Sequence, residues 1–219
     1  LVVAEVEMVI QRINKLINSG DTAVINASRR LQLLDIAQLA NSERAVINSD
    51  LVLILDKIGV LTNLSAATIS SQNGSVSINA DSITNSGNYI DRFYDAEGNL
   101  VNEVYYSSLL YAQNQLAIET GRLTNTDGGL LATNAGDIYV SATSLDNIDR
   151  SEISAQGAIV LDVENTVNNK ESRIYGTDVA ITANQLLNNQ EGRITTTNNV
   201  LLKLNSLIHD SGRLCASKD

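Results

Sequence analysis

The chain has 219 residues, 43% of them hydrophobic but only 4% aromatic, with no proline and a net charge of −10. There is enough apolar material for a folded core, and an acidic balance without any basic run excludes the electrostatic footprint of a nucleic-acid binder or of a protein docking on an anionic membrane. No segment reaches the roughly 18–20 apolar residues of a membrane-spanning helix, and the single cysteine, Cys215, excludes an internal disulfide and leaves no Cys-rich metal site.

The chain opens at Leu1 inside a hydrophobic pattern, its only methionine is Met8, and no basic-then-apolar leader precedes it. It reads as an excised piece of something longer. Within residues 1–17, Val3, Val6, Ile10, Ile13 and Ile17 would share one helical face, as in a cap over a first open rung. The β-branched content argues instead for a divergent strand-bearing rung, which is the preferred expectation.

From residue 18 an apolar-x-Asn element recurs, placing Asn18, Asn41, Asn63, Asn85, Asn125, Asn147, Asn168 and Asn188 in one slot, with His209 in the ninth. Successive spacings are 23, 22, 22, 40, 22, 21, 20 and 21 residues, so one interval is anomalous. Seven residues before the slot stand Leu34, Ile78, Ile118, Val140, Leu161, Ile181 and Leu202; nine before it stand Val76, Leu116, Ile138, Ile159, Val179 and Val200. This period-2 alternation marks a strand with one face inward. Val24, Ile47, Ile69, Leu131, Ile153, Ile174 and Ile194, six after the slot, mark a second strand; Leu39, Leu61, Ile83, Leu123, Leu145, Leu186 and Leu207, two before it, mark a third. Glycines such as Gly74, Gly136, Gly157 and Gly176 supply corners.

Three short strands and their corners fill about 21 residues and leave no room for a helix. The predicted fold is therefore all-β: a parallel β-helix of about nine rungs, stacked at roughly 4.8 Å into a rod about 43 Å long. Asn in a repeated corner slot can stack as a hydrogen-bonded amide ladder. A leucine-rich repeat has a similar period, but it needs a different Leu spacing and a convex-side helix that is not written here.

The tandem pattern "ISAQGAIVLDVENTVNNKESRIYGTDVAITANQLLNNQEGRI" resembles the haemagglutinin repeats of the filamentous haemagglutinin family, large exoproteins exported by two-partner secretion that include adhesins and effectors of contact-dependent growth inhibition. The likeness is good over 107–214, recognisable over 61–87 and looser over 18–60. It implies a right-handed parallel β-helix in a secreted, cell-surface filament, exported through an outer-membrane two-partner transporter. The family's amino-terminal secretion domain with its Asn-Pro motifs and a toxin-like carboxy-terminal domain are both missing, so the resemblance implies a middle piece.

The anomalous interval holds an insertion, residues 88–106, carrying five of the eight aromatic residues: Tyr89, Phe93, Tyr94, Tyr105 and Tyr106. Two β-prone segments, "YIDRFY" and "LVNEVYY", flank "DAEGN", which predicts a hairpin. The string "FYDAEGNL" also resembles one copy of the YD-type hairpin repeat of other bacterial surface and toxin proteins. Either the aromatics lie flat on the rod wall, covering an edge, or they project as a recognition element for a cell-surface receptor, protein or glycan. A contact between filament segments is the third reading.

The alternative function is a β-helical carbohydrate-active enzyme, a lyase or hydrolase with outward carboxylates on nearby rungs. Asp137 with Asp178, and Glu119 with Asp162, stand two rungs apart, and no Arg or Lys accompanies either pair in the matching slots. They read as scattered surface acids, His209 as a corner donor, and Cys215 as an inert thiol. Asp146 and Asp149 lack the Gly and distal Glu of a calcium loop. The expectation is a structural and adhesive segment with no catalytic residue, metal or cofactor, no nucleic-acid partner and no membrane insertion.

Overall fold

The computed structural model describes residues 1–87, 89–95 and 97–216, excepting the side chains of Tyr89 and Asp91. These residues form a β-solenoid of about ten turns without a helix among them. Each rung pairs one long strand with one short strand. The long strands are Glu7–Ser19, Arg30–Ser42, Val52–Leu64, Ser75–Ser86, Gln115–Thr126, Asp137–Ile148, Ala158–Lys170, Asp178–Asn189 and Val200–Ile208. They stack in parallel as a nine-stranded sheet and number rungs 1 to 9. The short strands, from Val2–Ala4 and Val24–Ala27 to Arg193–Thr196 and Arg213–Ala216, stack as a parallel sheet of ten.

Two strands per rung replace the three expected, because the strand before the Asn and the contact two before it lie on one bent element. Ladder pairing skips the bend: Thr120 pairs Ala80 and Arg122 pairs Ser82, with Gly121 between. Residues 1–17 contribute Val2–Ala4 and Glu7–Ser19, which pair in parallel with the rung above.

Inward side chains stack on like residues. Leu53, Val76, Leu116, Ile138 and Ile159 form one buried column, and Leu61, Ile83, Leu123, Leu145 and Val167 another. Each such burial is worth roughly 1.5–3 kcal/mol, which explains how a rod with so few aromatics is filled. Corners are tight: a Cβ on Gly136 would lie 1.6 Å from the Asn114 carbonyl oxygen, so the chain there can only be Gly.

Three residues depart from the expected register. Leu34 does not point inward; Leu31 and Leu33 are fully buried while Leu34 is half-exposed opposite Asp56. Rungs 1 to 3 carry an additional residue at the bend, where Arg12, Asp35 and Lys57 adopt φ of 58°, 54° and 55°. The ladder shifts register there, with Leu55 on Ile78 but Ile58 on Ala80. This is the geometry of a bulge, which flips the face of every residue before it. Val24 gives its inward place to Ile25 for another reason: the corner after Asn18 is one residue longer than the corner after Asn41, so Asn18 pairs Asn41 while Ile25 pairs Ile47.

The third correction is Asn168. Rung 7 carries an additional residue in its bend, between Val163 and Thr166, and this moves the ladder slot to Asn169. Asn168 is half-exposed and donates to Asp146 Oδ1 at 3.3 Å. The ladder itself runs Asn18, Asn41, Asn63, Asn85, Asn125, Asn147, Asn169 and Asn188, each Nδ2 donating to the next Oδ1 at 2.7–2.9 Å. Asn188 Nδ2 ends it against His209 Nδ1 at 3.2 Å, which makes that ring nitrogen an acceptor rather than the donor expected. Each amide also donates to carbonyls in or just before the short strands, as Asn125 does to Gly129 and Glu152 at 3.0 and 3.1 Å. The ladder thus staples the end of each long strand to the short strands that follow.

Candidate recognition hairpin

The insertion leaves and rejoins the rod at one corner. Gly87 N–H donates to the Thr126 carbonyl at 3.3 Å, Ser108 Oγ donates to the Ser86 carbonyl at 2.7 Å, and Asn85 still reaches Asn125 at 2.8 Å. The solenoid continues beneath the insertion as if it were absent.

Strands Tyr89–Tyr94 and Leu100–Tyr106 pair in antiparallel, as a separate two-stranded sheet. The turn follows from its residues. Gly98 N–H donates to the Asp95 carbonyl at 3.1 Å, Asp95 N–H donates to the Asn99 carbonyl at 2.9 Å, and Gly98 has φ +85°, a conformation natural to glycine. This is a three-residue hairpin loop with a glycine bulge. The Asp95 carboxylate accepts from the Asn99 and Glu97 N–H groups at 2.8 and 3.1 Å and from Asn99 Nδ2 at 3.1 Å. Those donors, led by the Asn99 side chain, hold its pKa below the usual carboxylate range.

On one face Arg92 Nε donates to Glu103 Oε1 at 2.9 Å, and Tyr105 Oη donates to Glu103 Oε2 at 2.9 Å. The Arg92 hydrogen bond is the largest influence lowering the Glu103 pKa, and the same bond raises that of Arg92.

The aromatics do not form one patch. Phe93 and Tyr94, 50% and 59% exposed, stand near the turn on opposite faces, while Tyr105 and Tyr106 sit at the base. The Tyr89 backbone pairs with Tyr106, but its side chain lies outside the described residues. At the base, the Arg44 guanidinium covers the Tyr106 ring at 4.8 Å and that of Arg150 covers the Tyr105 ring at 5.4 Å.

Arg44 and Arg150 belong to the corners of rungs 2 and 6, two rungs to either side of the hairpin. Both lie three residues after a ladder Asn; the same position on rungs 3 and 5 holds Ala66 and Gly128. Small residues beside the root and arginines one rung further out let the tyrosines reach across. The hairpin therefore straddles about 19 Å of rod, clamped by two cation–π contacts worth about 0.5–1 kcal/mol each at exposed sites. Sequence reasoning missed both arginines; aligning the corners by the Asn slot would have exposed them. Beneath the Tyr105 face is a cavity of about 300 Å³, lined by Ile90, Ser107, Asp127, Leu130, Arg150 and Glu152 among others.

The carboxylates considered for catalysis fall into two groups. Asp137 Oδ1 accepts from Ala158 N–H at 2.8 Å, and Asp178 Oδ1 from Asn199 N–H at 3.1 Å and Asn199 Nδ2 at 2.8 Å, so each ties the start of the following rung. Glu119 and Asp162 line an open cleft of about 620 Å³ along the bend, together with Asp81 and Glu164 and without a basic residue. Asp146 pairs with Arg122 at 3.0 Å, and Asp149 accepts from Thr126 Oγ1 at 3.2 Å.

Compared with known protein families, curated proteins and solved structures, the chain matches none.

Proposed function

We propose that the chain is a structural and adhesive segment of a large secreted bacterial surface protein, of the filamentous haemagglutinin kind, in which the rod sets distance and the hairpin supplies contact. In this reading the parent protein is an adhesin or a contact-dependent inhibition effector, exported through an outer-membrane transporter, and its receptor lies on a target cell. The observation that carries it is the hairpin itself. A β-solenoid with an undisturbed core and ladder bears one projecting two-stranded sheet whose outer half exposes Phe93, Tyr94, Leu100 and Val101. Exposed aromatic side chains supply rigid contact area at low entropic cost, and insertions in repeat proteins gather on a binding face.

The test compares binding of the intact chain to candidate target cells with that of a chain in which residues 88–106 are replaced by a short Gly-Ser link. Both chains must first show the same β-rich circular dichroism. Loss of binding on replacement supports the reading. Equal binding moves recognition to the rod wall, and no binding by either leaves the segment a spacer.

A further inference from the structure

The hairpin has two outer edges, and the structure treats them differently. On the second strand a register shift between Leu100 and Asn102 breaks the edge, a device that discourages further pairing. The first strand, Tyr89–Tyr94, has no register shift, no proline and no lysine. Among the described residues no third strand pairs with it.

The turn fixes which of its backbone groups face outward. Asp95 N–H and C=O both point to the second strand, bonded to Asn99 and Gly98. Antiparallel strands alternate, so Phe93 faces the second strand while Ile90, Arg92 and Tyr94 turn N–H and C=O away from it. Three residues with outward backbone groups at a two-residue spacing are the template that an extended polypeptide matches.

We infer that the outer edge of Tyr89–Tyr94 is a strand-addition site for an extended segment of another protein, with β-branched or aromatic residues opposite Ile90 and Tyr94. The inference rests on the reading of the hairpin as the contact element and names the class of partner. A second copy is a poor occupant. Two-fold antiparallel pairing of this strand with itself must set residues of the same face opposite each other, and the registers nearest full overlap pivot on Asp91 or Arg92. Each places like charges face to face, which is destabilising.

The probe is a random heptapeptide library displayed on phage, selected on the intact chain after depletion on the chain lacking 88–106. Retained peptides are then synthesised and titrated against Tyr94→Pro and Tyr94→Thr. Proline removes an outward N–H without breaking a hairpin bond, a place where edge strands tolerate it; threonine removes the ring but keeps the N–H. The expected result is binding lost more than tenfold in Tyr94→Pro and changed less than threefold in Tyr94→Thr, with Ile90, Arg92 and Tyr94 amides gaining hydrogen-exchange protection in the complex. Retention of no peptide, equal effects of the two substitutions, or unprotected amides at these three positions overturns strand addition. Self-association of the intact chain lost in Tyr94→Pro also overturns it, by making the occupant a second copy. Cell binding that needs 88–106 but ignores Tyr94→Pro refutes the strand-addition site alone and leaves the hairpin's role standing.

Discussion

Replacing Asn168 and Asn169 separately by Ala distinguishes a ladder counted along the chain from one set by packing. Asn169 is fully buried; its Nδ2 donates to Asn188 Oδ1 at 2.7 Å and to the Arg193 carbonyl at 3.2 Å, and its Oδ1 accepts from Asn147 at 2.9 Å. Three bonds at a net 0.5–1.5 kcal/mol each give about 3 kcal/mol for Asn169→Ala. Asn147 keeps its bond to the Arg173 carbonyl at 3.0 Å, so the stranded Asn188 Oδ1 is the main further cost. Asn168→Ala removes one half-exposed bond of 3.3 Å and should cost under about 1 kcal/mol. Solenoids unfold locally as well as globally, so the assay is residue-resolved hydrogen exchange over rungs 6 to 8. About 3 kcal/mol appears there as a roughly hundredfold loss of protection for Asn169→Ala, against less than about fivefold for Asn168→Ala. Equal losses, or a larger one for Asn168→Ala, would refute the ladder as described.

The bend residue in rung 2 has the same kind of test: Leu33→Ala should cost about 2–5 kcal/mol as a core truncation, Leu34→Ala under about 1, by thermal melting, and the reverse order would restore the register counted from sequence. Removing both clamps, Arg44→Ala with Arg150→Ala, should leave the rod's melting transition unchanged while proteolysis within 89–106 accelerates, since about 0.5–1 kcal/mol per contact holds the hairpin base; unchanged cleavage would deny the clamp. The hairpin should also loosen in acid. Glu103 and Asp95 have folded pKa values lowered from their ordinary 4.5 and 3.8, so their contribution is present above those values and lost as pH falls through the folded ones. Hairpin amide resonances should therefore shift as the pH falls below about 4.5; loosening on raising the pH instead would contradict the assignment.

Much of this architecture is legible in a single chain because a solenoid repeats one local problem. Strand alternation, corner glycine and a polar slot recur every 20–23 residues, so eight noisy copies determine a period, an all-β class and an interrupted interval. The turn at "DAEGN" is equally local, since Asp95 and Gly98 are the residues that its geometry demands. What counting residues cannot decide is where an additional residue is absorbed. At Lys57, and again between Val163 and Thr166, the strand bulges so that the neighbouring rungs keep Ile over Ala and Leu over Val. The pairing energy of stacked columns chooses that point, and this choice put Leu33 and Asn169 where Leu34 and Asn168 were expected.

The clamp lies further still from any local rule. Arg44 and Tyr106 are 62 positions apart in the chain, and they meet because two rungs wind between them while the corner at Ala66 leaves the way clear. The sequence by itself determined the rung, its period and the presence of the hairpin, each being a matter of short-range alternation and turn chemistry. Only the tertiary structure decided which residue of each rung faces the core, which asparagine completes the ladder and which arginines hold the hairpin, because those depend on side chains brought together by stacking.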